Sequence, residues 1–228
     1  MFIINCKNYV DTEKQISKLS QTIYKNSIKY KISISIAPPL HLTITSLKYN
    51  IPVFAQHVDN IDKNNSTGFV VPKSIKNSKI NGSLINHGEH RIATKDILEL
   101  LDTFRKLQII SILCVENIIE LKKYLKYQPS FIAIEPKNLI GTRNSITSEK
   151  PETIIKAANI LKRHKKTKLL CGAGISSSYD VKMAMELGSY GILVSSAILK
   201  ANNWNKKIDE FANAMFNNAR VDFSNVKK

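Results

Sequence analysis

The sequence predicts an α/β fold: a closed (β/α)8 barrel, eight parallel strands surrounded by helices. Three observations lead there. Short β-rich apolar runs alternate with amphipathic helical patterns from one end of the chain to the other. Such alternation implies parallel pairing, because parallel strands need crossover connections. Eight of these units follow one another without a break, and 228 residues suit one barrel domain, residues 1–228. Several strands also run into polar, reactive residues, and in a parallel barrel the strand ends meet on one face.

The expected strands are residues 2–5, 33–37, 53–56, 83–86, 109–115, 131–135, 168–172 and 191–195. Helical spacing joins Ile16, Leu19 and Ile23, then Ile97, Leu101 and Phe104, then Ile154, Ala158 and Leu161. It returns in Ile208, Phe211, Ala212 and Met215. Thr12 with Gln15 suits a capping box opening the first helix. Gly188, after Met185-Glu186-Leu187, suits a helix C-terminus. Residues 60–67 and 141–148 read as polar loops, the second placed where an active-site lid would lie. No Pro/Gly/Ser-rich linker divides the chain.

Composition narrows the function classes. Hydrophobic residues make up 43%, which argues against disorder. No apolar run approaches the roughly 20 residues that span a bilayer. Met1-Phe2-Ile3-Ile4-Asn5 has neither a basic leader nor a cleavage site, so a cytoplasmic protein without a membrane partner is expected. Cys6, Cys114 and Cys171 show no paired spacing, and are expected reduced and buried in or near strands. The formal charge of +16 raises the question of nucleic acid. It comes mainly from lysine spread along the whole chain, without a basic block alternating with aromatics. A diffuse charge lacks the one-sided patch of a nucleic-acid footprint, so no such partner is expected. It can still steer an anionic substrate.

Four sites carry possible chemistry. Asn5 and Lys7 follow the first strand, and a lysine at a barrel mouth can polarise a carbonyl. Taken alone, Lys7 is more simply a surface lysine. His87 and Glu89 follow the fourth strand: a donor to a developing oxyanion and a carboxylate that can orient it. The plainer reading is a histidine satisfied within a turn. His87, Glu89 and His90 do not make a zinc site, lacking the i, i+4 histidine pair and a clear third ligand. Glu135 ends an apolar strand, where burial would raise its pKa and suit it to general-base work. The seventh strand leads into Gly172-Ala173-Gly174 and the eighth into Ser195-Ser196, small residues that let backbone N–H groups approach a phosphate.

These pieces resemble the triosephosphate isomerase family, in its shorter archaeal-type branch, over nearly the whole chain. The resemblance rests on Asn5-Cys6-Lys7, on Ala55-Gln56-His57, and on Leu84-Ile85-Asn86-His87-Gly88-Glu89-His90-Arg91. It extends through Ala133-Ile134-Glu135-Pro136, Leu139-Ile140-Gly141-Thr142 and Cys171-Gly172-Ala173-Gly174-Ile175-Ser176. The chain departs from the family at Gly88, where serine is usual, at Arg143, where the lid commonly has glycine, and at Ser195-Ser196. The first is expected to loosen the contact that orients the base in the open state, the second to alter lid motion.

The resemblance implies a TIM barrel that interconverts dihydroxyacetone phosphate and D-glyceraldehyde 3-phosphate through an enediol(ate). It implies Glu135 as base, His87 as electrophile, Lys7 for negative charge, Asn5 placing it, and Glu89 in support. The resemblance also implies that the glutamate base faces a neutral histidine. Ile140, Gly141, Gly174, Ser195 and Ser196 would hold the phosphate. Neither metal nor organic cofactor is implied, and the assembly would be a homodimer or homotetramer built partly through the third and fourth βα regions. Two other readings remain: a barrel acting on another sugar phosphate, and a catalytically weak barrel kept as a binding protein.

Overall fold

A computed structural model describes residues 1–62, 65–142 and 144–224, with side chains to 218. The elements run β1 (Phe2–Asn5), α1 (Val10–Tyr30), β2 (Ile34–Ala37), α2 (Thr43–Leu47), β3 (Phe54–Ala55), α3 (Pro72–Asn77), β4 (Gly82–Ile85) and α4 (Thr94–Leu107). They continue through β5 (Ile110–Val115), α5 (Ile118–Leu125), β6 (Phe131–Ile134), α6 (Ile146–Glu149), α7 (Pro151–Leu161) and β7 (Lys168–Cys171). The last are α8 (Ser178–Glu186), β8 (Gly191–Val194), α9 (Ser196–Leu199) and α10 (Trp204–Ser224).

All strand pairs are parallel, in the order β2-β1-β8-β7-β6-β5-β4-β3. A single parallel bridge, Ile36 to Val53, brings β2 against β3 and nearly closes the barrel. Every expected strand is present, shifted at its ends by a residue. The third is shorter than expected because beyond that bridge it is paired only with β4.

Alternation along the strands sorts the core into two layers. Ile3, Ala37, Phe54, Leu84, Ile112, Cys114, Phe131, Ala133, Leu170 and Leu193 fill the barrel interior. Phe2, Ile4, Ile36, Ile85, Leu113, Ile132, Ile134, Leu169 and Ile192 pack outward on the helices, with Ile16, Leu19, Ile23, Ile97, Leu101, Phe104 and Ile154 facing them. The same alternation sets up the active face. Two residues past an inward Ile3 comes Asn5; past Leu84, Asn86; past Ala133, Glu135; past Leu193, Ser195.

Local expectations fared unevenly. Gly188 does end α8: its amide donates to Met185 O at 3.0 Å, and that of Ser189 to Ala184 O at 3.0 Å, closing the helix in a Schellman motif. The Thr12–Gln15 capping box does not form. Helix α1 starts earlier, after Tyr9, which makes no side-chain cap, and Thr12 lies buried inside it. A full capping box stands instead at Ser177 and Asp180, opening α8. The segment 141–148 is not all loop, since Ser145 accepts from Thr147 N at 3.2 Å and starts the short α6. Arg143 lies outside the described residues, as do two residues of the 60–67 loop. The three cysteines are free and buried. Burial pushes their thiols up, that of Cys171 to about 12, which keeps them un-ionised at neutral pH. Among the described residues, no helix is long and apolar enough to cross a membrane.

Candidate active site

A cavity of about 950 Å³ opens at the C-terminal ends of the strands. Its lining includes Asn5, Lys7, His87, Glu89 and Glu135. It also includes Ile140, Gly141, Gly174, Ser195 and Ser196, so the residues expected to do chemistry and those expected to hold phosphate meet in one place.

β1 delivers the cation. Asn5 is buried, and its side-chain oxygen accepts from Lys7 N at 3.0 Å, holding Lys7 in a left-handed turn with φ 46°. Gln56, just past β3, donates to Lys7 O at 3.0 Å and to Ala37 O at 2.9 Å. One amide thus ties the loop after β1 to the end of β2. The ammonium group of Lys7 meets Glu89 Oε1 at 2.5 Å.

β4 delivers the histidine through a tight turn. Asn86 adopts φ 63°, a conformation asparagine tolerates better than most residues. Its side chain bonds Cys114 O at 3.1 Å and accepts from Ile92 N at 3.2 Å. His87, only 7% exposed, receives the backbone N–H of Glu89 on Nδ1 at 3.2 Å. A backbone N–H can only donate, so Nδ1 carries no proton. The ring is therefore the neutral tautomer with N–H at Nε2. That atom lies 3.8 Å from Glu135 Oε1.

β6 delivers the carboxylate. Glu135 is 5% exposed, and its Oε2 has no hydrogen-bond partner in the described structure. Burial raises its pKa and Glu89 adds to the rise; the Cys114 thiol and Lys7 pull it back down, while His87, as a neutral ring, sets no charge against it. Its side chain lies against Gly172 at the end of β7. A Cβ there would fall 2.5 Å from Glu135 Cγ and 2.7 Å from Oε1. The residue at 172 must therefore lack a side chain for the carboxylate to sit where it does.

The lid leaves β6 through a short 3₁₀ turn at Lys137–Leu139. Ile140 then packs onto Gly88: a Cβ on Gly88 would meet Ile140 Cδ1 at 2.4 Å. The lid's aliphatic side chain thus occupies the space a serine would fill. The far end of the lid rests on the loop after β7. Ile146 N donates to Ala173 O at 3.1 Å. Gly174, at φ 70°, faces Asn144 O so closely that a Cβ would lie 1.9 Å from it. The sequence suggested that Gly174 is small to admit a phosphate; contact with the lid backbone requires glycine there in any case. Ser195 precedes α9 and accepts from the amides of Ile198 and Leu199 at 3.0 Å. The amides of Ser196 and Ala197 begin the helix and so have no intrahelical acceptor.

Sequence reasoning passed over Gln56 and Asp180 as site-forming residues and read Gly172 only as part of the phosphate segment. Gln56 and Gly172 lie in segments that carried the family resemblance, and strand alternation points to Gly172, two residues past inward Leu170. Asp180 gave no signal beyond a helix-start pattern. Among the described residues, no group of three His, Cys, Asp or Glu is placed to hold a metal ion.

Comparison with known proteins bears directly on this site. A family model described as triosephosphate isomerase matches residues 1–211. The chain is 41% identical to a triosephosphate isomerase of Cenarchaeum symbiosum, over 94% of this chain and 97% of that one. It is 35% identical to one of Methanocaldococcus jannaschii, over 92% and 97% of the two chains. It is 34% identical to one of Methanothermus fervidus, over 94% and 98%.

Proposed function

The chain belongs to the triosephosphate isomerase family, and on that premise we propose that Glu135, His87 and Lys7 carry its reaction. The reaction is the interconversion of dihydroxyacetone phosphate and D-glyceraldehyde 3-phosphate, a step of glycolysis and gluconeogenesis. The Glu135 carboxylate takes a proton from the carbon beside the carbonyl. The electron pair left behind forms the enediolate, and Nε2–H of His87 donates to the oxygen where charge gathers. The Lys7 ammonium balances that charge. The proton of the adjoining hydroxyl shifts to that oxygen, so that the adjoining carbon becomes the new carbonyl as Glu135 returns its proton to the former one. Asn5 and Glu89 hold Lys7, and the Glu89 amide holds the tautomer of His87. The phosphate is bound by backbone N–H groups at Ile140 or Gly141, Gly174, Ser195 and Ser196, with α9 pointing its first amides toward it. Lid closure keeps water from the intermediate.

The observation that carries this reading is the neighbouring pair His87 Nε2 and Glu135 Oε1, 3.8 Å apart and buried, in a cavity that Gly141, Gly174, Ser195 and Ser196 also line. The test is isomerase activity of the purified protein, with dihydroxyacetone phosphate formation coupled to NADH oxidation. A protein with no turnover there, or one faster on another sugar phosphate, would overturn it.

The raised pKa of Glu135 sets a pH dependence. The base works only when ionised, so activity is lost as pH falls through its folded-state pKa. The acid limb of kcat/KM should therefore lie above the ordinary glutamate value of 4.5. A limb at or below that value would show that burial does not govern this carboxylate.

Two phosphate-loop variants should separate. Gly174→Val should weaken substrate binding strongly, because any Cβ collides with Asn144 and displaces the lid. Ser196→Ala should change KM by no more than about twofold, since the backbone N–H remains. KM values for both variants decide the point; a large effect at Ser196 would move the phosphate grip to its hydroxyl.

The chain works as one domain, in the cytoplasm, as a homodimer or homotetramer. Phe69, in the third βα region, is 51% exposed and supports a partner on that side. Sedimentation of the purified protein distinguishes the two states, and a monomer would exclude both.

A further inference from the structure

Asp180 stands on the first turn of α8, away from the reacting groups, and it is 6% exposed. Its two carboxylate oxygens face different parts of the molecule. Oδ2 accepts from Ser176 N at 3.0 Å, Ser176 Oγ at 3.1 Å, Ser177 N at 2.9 Å and Ser177 Oγ at 2.9 Å. All four donors belong to the loop after β7. Oδ1 accepts from Thr147 Oγ1 at 3.1 Å, and Thr147 is paired with Ser145 Oγ at 2.7 Å. Those two residues are the far hinge of the lid. Capping α8 needs only the Ser177 bonds. The bond to Thr147 has no part in a helix cap.

The geometry points to Asp180 as a positioning residue that locks the lid's far hinge to the loop carrying Gly174, so that both sets of phosphate-facing amides keep one spacing. This rests on the assignment of the phosphate site above. The hinge reaches the β7 loop at two other points, the Ile146–Ala173 bond and the Gly174–Asn144 contact, but Asp180 is where side chains of the two segments share one carboxylate. Ser176, held twice by Asp180, itself lines the cavity. A carboxylate serves here better than an amide. Oδ2 meets four donors, so an asparagine would turn its oxygen to them and its NH₂ to the Thr147 hydroxyl, which can accept; what it loses is the charge that strengthens the four bonds. Burial by itself pushes the Asp180 carboxyl up, but the bonds from Ser176, Ser177 and Ser145 outweigh it and hold the group below the ordinary range. It therefore stays ionised at any pH where Glu135 can act as base.

Thr147→Val tests the lock without touching the α8 cap, and Asp180→Ala tests the whole network. In ligand-free protein, hydrogen exchange of the amides of residues 144–147 should rise by on the order of 10-fold in Thr147→Val. Its dissociation constant for inorganic phosphate, by calorimetry, should rise about 3- to 10-fold. The fraction of turnovers that release inorganic phosphate should rise with it, since a loosened lid lets the enediolate break its C–O bond to phosphate. Asp180→Ala should do all three more strongly and also lower Tm; Thr147→Val should hold Tm nearly unchanged. Wild-type exchange and wild-type phosphate affinity in Thr147→Val would reduce Asp180 to a helix cap and overturn the proposal. Faster exchange with unchanged affinity would overturn it too. A wild-type protein lacking isomerase activity would defeat the assigned reaction, while exchange and phosphate affinity still decide the lock.

Discussion

Glu135→Asp is expected to lower kcat by on the order of 100-fold with a much smaller change in KM. The side chain sits at the inward position two residues past Ala133, pressed against Gly172, with its carboxylate 3.8 Å from the imidazole of His87. Removing one methylene withdraws the carboxylate by about 1 Å, and a misplacement of that size is costly when proton transfer needs a near-attack geometry. The shorter chain has no other way to reach, because Ile134 and Gly172 are fixed by pairing and packing on either side. In the proposed arrangement the phosphate is held by Gly174, Ser195 and Ser196, which the substitution does not touch, so KM should move little. Steady-state kinetics in both directions check this. A variant with unchanged turnover would remove Glu135 from the role of base.

His87→Gln should slow enolisation by on the order of 100- to 1000-fold, about 3–4 kcal/mol of lost oxyanion stabilisation, with phosphate binding preserved. The imidazole is a rigid donor because the Glu89 amide occupies Nδ1 and fixes the proton on Nε2. A glutamine can offer the same two functions, an acceptor and a donor, but on a flexible chain that must be ordered in each turnover. The comparison is between kcat and the inhibition constant of inorganic phosphate. If kcat held while phosphate or substrate affinity collapsed, His87 would be a binding residue.

Much of this site was legible one residue at a time. Asn5, His87 and Glu135 each follow an apolar run, and strand ends of a parallel barrel converge whatever their distance in the chain. Other readings failed for physical reasons. Thr12 and Gln15 have the spacing of a capping box, but the turn after Lys7 brings the chain into helical geometry already at Val10. Gly174 is glycine because the lid backbone passes within contact distance, and that neighbour is 30 residues away in sequence. Asp180 was not singled out in the sequence. Its bond to Thr147 spans 33 residues and has no periodicity to betray it.

The sequence by itself determined the order and type of the elements and which residues stand at the strand ends. These follow from the alternation of polar and apolar residues, a local property that short stretches of chain express alone. Tertiary structure alone decided which tautomer His87 holds, which charges act on the buried carboxyl of Glu135, and why Gly172 and Gly174 must lack side chains. Each of those depends on a partner from another βα unit: the barrel core around Glu135, the lid over Gly174, the Glu135 side chain beside Gly172. Such partners are set by closing the ring of strands, and desolvation and close contact act only once the ring has closed.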